Sequence, residues 1–166
     1  MDQRMSKDKY YLNIADAVLD RSTCLRRKYG AIIVKNDEIL STGYNGAPRG
    51  RVNCSELGYC NREQLNIPSG QRYELCRSVH AEANAIISAA RRDMIGGTLY
   101  LVGRDAATGA LLHDTTSCAM CRRMIINSGI ERVVSRIGEK ETDLTVVDVQ
   151  EWIDHDESIQ PKAEAE

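Results

Sequence analysis

The sequence predicts an α/β fold in which helices cover a mixed β-sheet. Segments with apolar residues at helical spacing alternate with short runs rich in valine, isoleucine and leucine. Two of these runs follow each other through Asn36-Asp37, which is typical of a β-hairpin. The length of 166 residues, with 42% apolar and 28% charged residues, fits one globular domain.

The first half of the chain begins with a predicted helix and a hairpin. Residues 8–21 carry apolar side chains at helical spacing and contain neither proline nor glycine. Residues 31–35 and 38–44 are the predicted strands of the hairpin. Residues 45–76 show little periodicity, so we expect a ligand, a metal, a partner subunit or a short helix to order them.

The second half of the chain continues the alternation. Alanines favour the next helix, and glycines follow both of the longer helices. One domain would cover residues 1–154, followed by a polar, flexible tail over residues 155–166. We predict helices over residues 79–92, 118–128 and 149–154, and strands over residues 98–103, 132–135 and 144–149.

Composition excludes several classes of partner. The formal net charge of −2 gives no basic excess, which argues against binding a nucleic acid polymer through its phosphates. No apolar run approaches the ~20 residues of a membrane-spanning helix, so we expect no membrane partner. The polar N-terminal residues lack the pattern of a signal peptide, and we therefore expect a cytoplasmic protein. In that reducing compartment, the six cysteines indicate metal binding or catalysis before disulfides.

Two short motifs, HAE at residues 80–82 and CAMC at residues 118–121, stand at predicted helix starts. Cys118 and Cys121 share one helix face, and the partly positive helix N-terminus favours their thiolates. Two thiolates and the imidazole of His80 suit Zn²⁺. Three protein ligands leave a fourth tetrahedral position for water, which distinguishes a catalytic zinc from a structural one.

Glu82 is the candidate for moving protons between the attacking water and the leaving amine. Its spacing from His80 does not place it on the ligand face, so it should not be a fourth ligand. His-x-Glu with a downstream Pro-Cys-x-x-Cys is the signature of zinc deaminases of nucleobases. Ser117 replaces the proline here, and we expect it to be the helix N-cap. The alternative, a redox-active CxxC pair, lacks a predicted strand leading directly into the motif.

Four stretches of the chain resemble the deoxycytidylate (dCMP) deaminases of the cytidine deaminase superfamily. The most specific is GYNGAP, because many deaminases share only the zinc motif. The resemblance implies a three-layer α/β/α sandwich with a central mixed sheet of about five strands. It also implies hydrolytic deamination of dCMP to dUMP with release of ammonia, by attack of an activated water on C4 of the base. The matching stretches are residues 21–36, 39–50, 75–87 and 117–133.

The resemblance also assigns roles to individual residues. It places Zn²⁺ on His80, Cys118 and Cys121, and it makes Glu82 the catalytic proton shuttle. Many members of the family are homo-oligomers regulated by dCTP and dTTP, so both properties are expectations for this chain.

Substrate contacts are expected near the first strands. Asn45 resembles the family asparagine near the substrate sugar or phosphate, and the turn at Gly46 exposes backbone N–H groups that suit an anion. A plain hairpin end is the alternative. Arg26 and Arg27 could bind a phosphate, although a solvated basic surface is equally consistent with them.

The remaining cysteines suggest a second metal site. Some members of the family carry a second zinc held by Cys and His from corresponding regions, and four thiolates would make a closed structural set. Such a site would also order residues 45–76. Ordinary thiols and disulfides are the alternatives. The four residues are Cys24, Cys54, Cys60 and Cys76.

Other functions remain open at this point. One is a deaminase of another cytosine or purine nucleoside or nucleotide, such as a tRNA adenosine deaminase, which would need a wider basic face. Another is a non-catalytic, zinc-stabilised nucleotide-binding module, for which Glu82 would have no use. His113, in the predicted hairpin after the third strand, could lie near the pocket mouth.

Overall fold

A computed structural model of the protein describes residues 3–159. It contains one five-stranded sheet in which β3 and β4 are parallel and the other neighbours are antiparallel. The order across the sheet is β2-β1-β3-β4-β5, so the prediction of a mixed sheet is confirmed. The strands are β1 (Arg27–Lys35), β2 (Glu38–Tyr44), β3 (Thr98–Asp105), β4 (Arg132–Arg136) and β5 (Leu144–Asp148).

Helices cover both faces of the sheet, which gives the three layers that the resemblance implies. The first helix packs on one face, and the fourth and sixth helices pack on the other. Among residues 3–159, no helix has both the length and the apolar composition needed to cross a membrane. The helices are α1 (Lys7–Val18), α2 (Cys54–Leu57), α3 (Asn61–Gln64), α4 (Ala81–Ile87), α5 (Arg91–Met94), α6 (Ala119–Ser128) and α7 (Val149–Asp154).

Strand β1 contributes to both halves of the core. Ala31 and Ile33 point into the half beneath α4 and α6, whereas Ile32 and Val34 point into the half beneath α1. All four side chains are buried. A strand covered on both faces needs a continuous apolar run, which explains the unbroken AIIV sequence.

The hairpin between β1 and β2 forms as predicted. Asn36 and Asp37 have φ values of 52° and 62°, so both occupy the left-handed region that a type I′ turn requires. Strand β1 begins at Arg27, earlier than the predicted Ala31, because its polar start pairs with Asp105 at the end of β3.

The single helix predicted over residues 79–92 is wrong. Helix α4 ends at Ile87, and α5 begins at Arg91 after an extended Ala90. The Ser88 hydroxyl donates a hydrogen bond to the Asn84 carbonyl at 2.9 Å. This local bond competes with continued helix, so the high helix propensity of the alanines does not decide the outcome.

Residues 45–76 contain short helical elements, one of the ordering devices expected from the sequence. Helices α2 and α3 are one turn each, and a 3₁₀ turn follows at Tyr73–Leu75. Hydrogen bonds stabilise the segment. For example, Asn61 Nδ2 donates to the Leu75 carbonyl at 3.0 Å.

The C-terminal part of the domain ends in α7. Glu157, beyond this helix, forms an ion pair with Arg122 of α6 at 3.3 Å. Of the tail predicted over residues 155–166, residues 160–166 lie outside the described residues. The division into a domain over residues 1–154 and a tail therefore stays a prediction.

Close contact between β2 and α4 fixes the start of that helix. A Cβ on Gly43 would lie 2.3 Å from the Ala81 carbonyl oxygen and 2.4 Å from the Ala85 amide nitrogen. The Ser41 hydroxyl, on the same strand, donates to the Ala85 carbonyl at 2.7 Å. Only glycine lets the helix backbone come this close.

Replacing Gly43 with alanine should force α4 away from the sheet. We expect Gly43→Ala to lower the free energy of unfolding by about 1–3 kcal/mol, measured by urea denaturation. Thr42→Ala, at an exposed position of the same strand, is the control and should change stability by less than about 0.5 kcal/mol. Equal effects of the two substitutions would contradict the packing argument.

Candidate active site

His80 is held at the N-terminus of α4 by an isolated β-bridge. Gly46 and Val79 exchange two backbone hydrogen bonds, of 3.2 and 2.8 Å. His80 follows as the N-cap, with extended backbone, and Glu82 lies in the first turn of the helix. The GYNGAP turn therefore positions the histidine from a distance in sequence.

Cys118 and Cys121 come to the same point from the N-terminus of α6. Their sulfur atoms lie 3.5 and 3.4 Å from His80 Nδ1. All three ligand atoms fall within 4.8 Å of one another, and among residues 3–159 this is the only group of three or more His, Cys, Asp or Glu residues that does so. The structure thus brings together the three residues predicted to bind metal.

The geometry fits a tetrahedral zinc ion. With Zn–S bonds of about 2.3 Å and a Zn–N bond of about 2.0–2.1 Å, tetrahedral angles separate nitrogen and sulfur by about 3.5 Å. The two N···S distances at His80 match this separation. Two sulfurs and one nitrogen are a zinc-selective donor set and leave one position for a further ligand.

The prediction that Ser117 caps α6 is wrong. The N-cap is Cys118, whose backbone is extended, and the helix begins at Ala119. Ser117 is instead buried, and its Oγ has no hydrogen-bond partner among the described residues. The reason is that the first metal ligand itself occupies the capping position, which displaces the helix start by one residue.

The three ligand side chains shift one another's pKa values. The Cys121 thiol is the main cause that lowers the pKa of Cys118, to about 4. The Cys118 side chain in turn raises the pKa of His80 to about 10 and raises the pKa of Cys121. Without metal the protons are shared within the group, so metal binding must release protons.

Glu82 is buried beside the metal ligands, with an exposed fraction of 5%. Burial is the main cause that raises its pKa. A carboxyl group with a raised pKa exchanges a proton more readily near neutral pH than an exposed one. Its position in the first turn of α4 places it next to the triad without joining it.

A cavity opens onto His80, Cys118 and Glu82. Sequence reasoning missed several of its lining residues because they belong to segments without periodicity or to the unpredicted start of β1. Of the predicted substrate contacts, Asn45, Arg26 and Arg27 line it and Gly46 does not. The lining residues that the sequence did not predict are Tyr29, Arg62, Ser69, Tyr73, Ser78, Ala81 and Thr116.

Most of the hydrogen-bonding groups of the Asn45 side chain are used within the cavity wall. Its Oδ1 accepts hydrogen bonds from the Ser22 hydroxyl at 2.6 Å and the Tyr29 amide at 2.9 Å. Its Nδ2 donates to the Arg27 carbonyl at 2.9 Å. One of its two N–H donors remains for a ligand.

Both arginines predicted to bind phosphate carry acidic partners. Arg26 Nε lies 2.9 Å from a Glu63 carboxylate oxygen, and Arg27 Nη1 lies 3.6 Å from Asp114. The acidic partners are more than half exposed, so these pairs are solvent-screened and contribute little to stability.

The four remaining cysteines lie in one region but do not form a closed ligand set. Cys24, Cys60 and Cys76 line the cavity, and Cys54 is buried. Burial raises the pKa of Cys54, and the side chains of the other three cysteines raise it further. All six cysteines are free thiols.

His113 does not reach the cavity. Its Nδ1 lies 2.6 Å from the Ile137 carbonyl oxygen, just beyond β4, and its side chain is exposed. Its position therefore links the loop after β3 to the end of β4.

Comparison with known proteins identifies the family. The model of the cytidine and deoxycytidylate deaminase zinc-binding region matches residues 5–137. The chain belongs to this family. A deoxycytidylate deaminase of Mycobacterium phage D29 is 41% identical over 132 residues, covering 76% of this chain and 91% of the relative. That of Schizosaccharomyces pombe is 36% identical and is matched over 79% of this chain but only 37% of its own length.

Two solved deaminase structures share the fold. The dCMP deaminase of cyanophage S-TIM5, in complex with dCMP and dUMP, has a TM-score of 0.56 and 26% identity. The match covers 80% of this chain and 84% of the phage enzyme. A cytidine deaminase from Burkholderia pseudomallei has a TM-score of 0.55 with 18% identity, over 89% of this chain and 95% of its own, which shows the fold alone. Membership in this deaminase family supports Zn²⁺ as the metal of the triad.

Replacing one sulfur ligand should remove the metal. We expect Cys121→Ser to lower bound zinc by about one ion per chain, because the remaining two ligands hold Zn²⁺ weakly. Zinc released by acid can be measured with a chromophoric chelator. Met124→Ala, on the same helix and partly exposed, is the control and should keep the wild-type content. Unchanged zinc in Cys121→Ser would exclude the triad as a metal site.

Proposed function

We propose that the protein hydrolyses dCMP to dUMP and ammonia. The observation that carries this proposal is a His-Cys-Cys triad with a buried glutamate at the end of a cavity that is also lined by arginines. The relatives from Mycobacterium phage D29 and cyanophage S-TIM5, both named as dCMP deaminases, support it. A purely structural zinc module would not need Glu82 in this position.

The proposed division of labour assigns one task to each residue. His80, Cys118 and Cys121 hold the metal. A zinc ion bound there supplies Lewis-acid chemistry that makes water nucleophilic near neutral pH. Glu82 takes a proton as the water oxygen adds to C4 of the cytosine ring. It passes that proton to ring N3 and then carries the second water proton from the C4 hydroxyl to the exocyclic nitrogen, so that ammonia leaves and a carbonyl remains.

The cavity wall supplies the nucleotide contacts in this proposal. Asn45 offers its one free N–H to the sugar or phosphate. Gly46 contributes indirectly, because its bridge to Val79 positions the residue before His80. Arg26 and Arg27 place positive charge on the same wall. A nucleoside monophosphate therefore fits the cavity better than a neutral base.

We further propose a homo-oligomeric, cytoplasmic enzyme with dCTP and dTTP as effectors. Exposed apolar side chains on the outer helices, Ile87 of α4 and Met124 of α6, support association between copies. Six free thiols are consistent with a reducing compartment. The resemblance to a family with many regulated members supports these effectors, and adding each nucleotide to the assay tests them.

A substrate panel with ammonia detection tests the proposed reaction. We expect kcat/KM for dCMP to exceed that for deoxycytidine and for cytosine by at least about 100-fold, because the charged cavity wall needs a phosphate. Faster turnover of the unphosphorylated nucleoside, or of an adenine nucleotide, would contradict the proposal.

The Glu82→Gln variant is the control for chemistry in the same panel. It keeps the size of the side chain but cannot accept a proton, so dCMP turnover should fall by at least about 100-fold. Its zinc content should equal that of the wild type, since Glu82 is not a ligand. Loss of zinc together with activity would contradict this role.

We also propose a second, structural zinc on Cys24, Cys54, Cys60 and Cys76. Three of these thiols line the cavity and the buried Cys54 lies close to them, which supports the proposal, and the metal would draw the four into a closed set. The expected content is about two zinc ions per chain, with Cys54→Ser losing about one. Zinc release distinguishes the sites, because Cys121→Ser and Cys54→Ser should each retain the other ion. A wild-type content of one ion would contradict the second site.

A further inference from the structure

Arg62 of α3 is unusual for an arginine because its side chain is buried. Its exposed fraction is 6%, and it lines the same cavity as Glu82. Nη2 donates hydrogen bonds to the carbonyl oxygens of Pro68 at 2.9 Å and Gln71 at 2.8 Å. Its Nε is buried without a hydrogen-bond partner among the described residues.

The charge of Arg62 is not compensated. Among residues 3–159, no carboxylate oxygen lies within 4.0 Å of its guanidinium nitrogens, whereas Arg26 and Arg27 are paired with Glu63 and Asp114. A buried charge without a counter-ion is costly, and its carbonyl partners carry no net charge. The site therefore favours an anion that enters the cavity.

The ring of Tyr73 contacts both Arg62 and the metal ligand His80. The guanidinium carbon of Arg62 lies 4.6 Å from the centre of the Tyr73 ring. The Tyr73 and His80 rings in turn meet in a T-shaped arrangement, with ring centres 5.2 Å apart and an interplanar angle of 86°. Arg62 and the metal ligand His80 thus contact the same aromatic ring.

We infer that Arg62 binds the 5′-phosphate of the substrate and is the main determinant of preference for a nucleotide over a nucleoside. This inference rests on the proposed dCMP deaminase activity. A nucleotide presents its base and its phosphate at opposite ends, and the cavity is lined both by metal ligands and by an uncompensated cation that contacts Tyr73. Charge-assisted hydrogen bonds from guanidinium to phosphate are among the strong ones.

The proposal also gives Arg62 a different role from Arg26 and Arg27. Arg26 and Arg27 must give up an acidic partner before they can contact a phosphate directly. Arg62 has no such partner to give up. It therefore carries the direct contact, and the two paired arginines add positive charge to the wall.

The decisive experiment compares dCMP with deoxycytidine in Arg62→Gln. We expect kcat/KM for dCMP to fall at least about 30-fold, mainly through KM, while kcat/KM for deoxycytidine changes less than about twofold. Inorganic phosphate should inhibit the wild type competitively with dCMP, and this inhibition should weaken in Arg62→Gln. Arg62→Lys keeps the charge and should recover part of the preference.

Arg77→Gln is the matched control. Arg77 also has a buried Nε without a partner and also donates from Nη2 to a backbone carbonyl, that of Val52 at 2.8 Å. It follows directly after residues 45–76 and does not line the cavity. Its replacement should leave the preference for dCMP unchanged.

Three results would overturn the inference while leaving the proposed reaction intact. The first is an unchanged dCMP preference in Arg62→Gln. The second is an equal loss on dCMP and deoxycytidine, accompanied by a lower melting temperature, which would indicate a structural role. The third is loss of the preference in Arg26→Gln alone. Failure of the wild type to turn over dCMP would instead contradict the proposed function.

Discussion

Two helix N-termini meet at one point in this protein, and the rest of the site depends on that meeting. His80 occupies the N-cap position of α4, and Cys118 occupies that of α6. Side chains at a helix start project beyond the first turn, so ligands from the two helices can face one another. The partial positive charge at both helix ends stabilises the thiolates that a metal requires.

The sheet and its close contacts determine where those helices begin. Gly43 lets α4 lie directly on β2, and the bridge between Gly46 and Val79 fixes the residue that precedes His80. The parallel pairing of β3 and β4 returns the chain through α6 on the same face. The site is therefore a product of the backbone packing and not of the ligand sequence alone.

Much of this arrangement could be predicted from the sequence, and the failures have physical causes. The five strands follow from apolar runs, and the ligand triad follows from two motifs whose donor types have a clear preference for zinc. The start of α6 was misplaced because Cys118, a poor cap by propensity, is nevertheless the cap. The sequence did not point to Arg62 or Tyr73, because the order of their segment comes from hydrogen bonds to backbone carbonyls within it and not from hydrophobic periodicity.

The double burial of β1 has a consequence for the dynamics of the whole molecule. Its central residues are shared by two cores, and the core beneath α4 and α6 includes Ala81 and Ile125, which neighbour the metal ligands. Neither core can open alone without exposing this strand. The backbone amides of Ala31 to Val34 should thus exchange with solvent only through global unfolding, while residues 61–76, held by a few polar bonds, open locally at lower cost. The metal ligands therefore lie beside the slowest-exchanging part of the chain. Arg62, which lines the same cavity, lies in a segment that opens more readily.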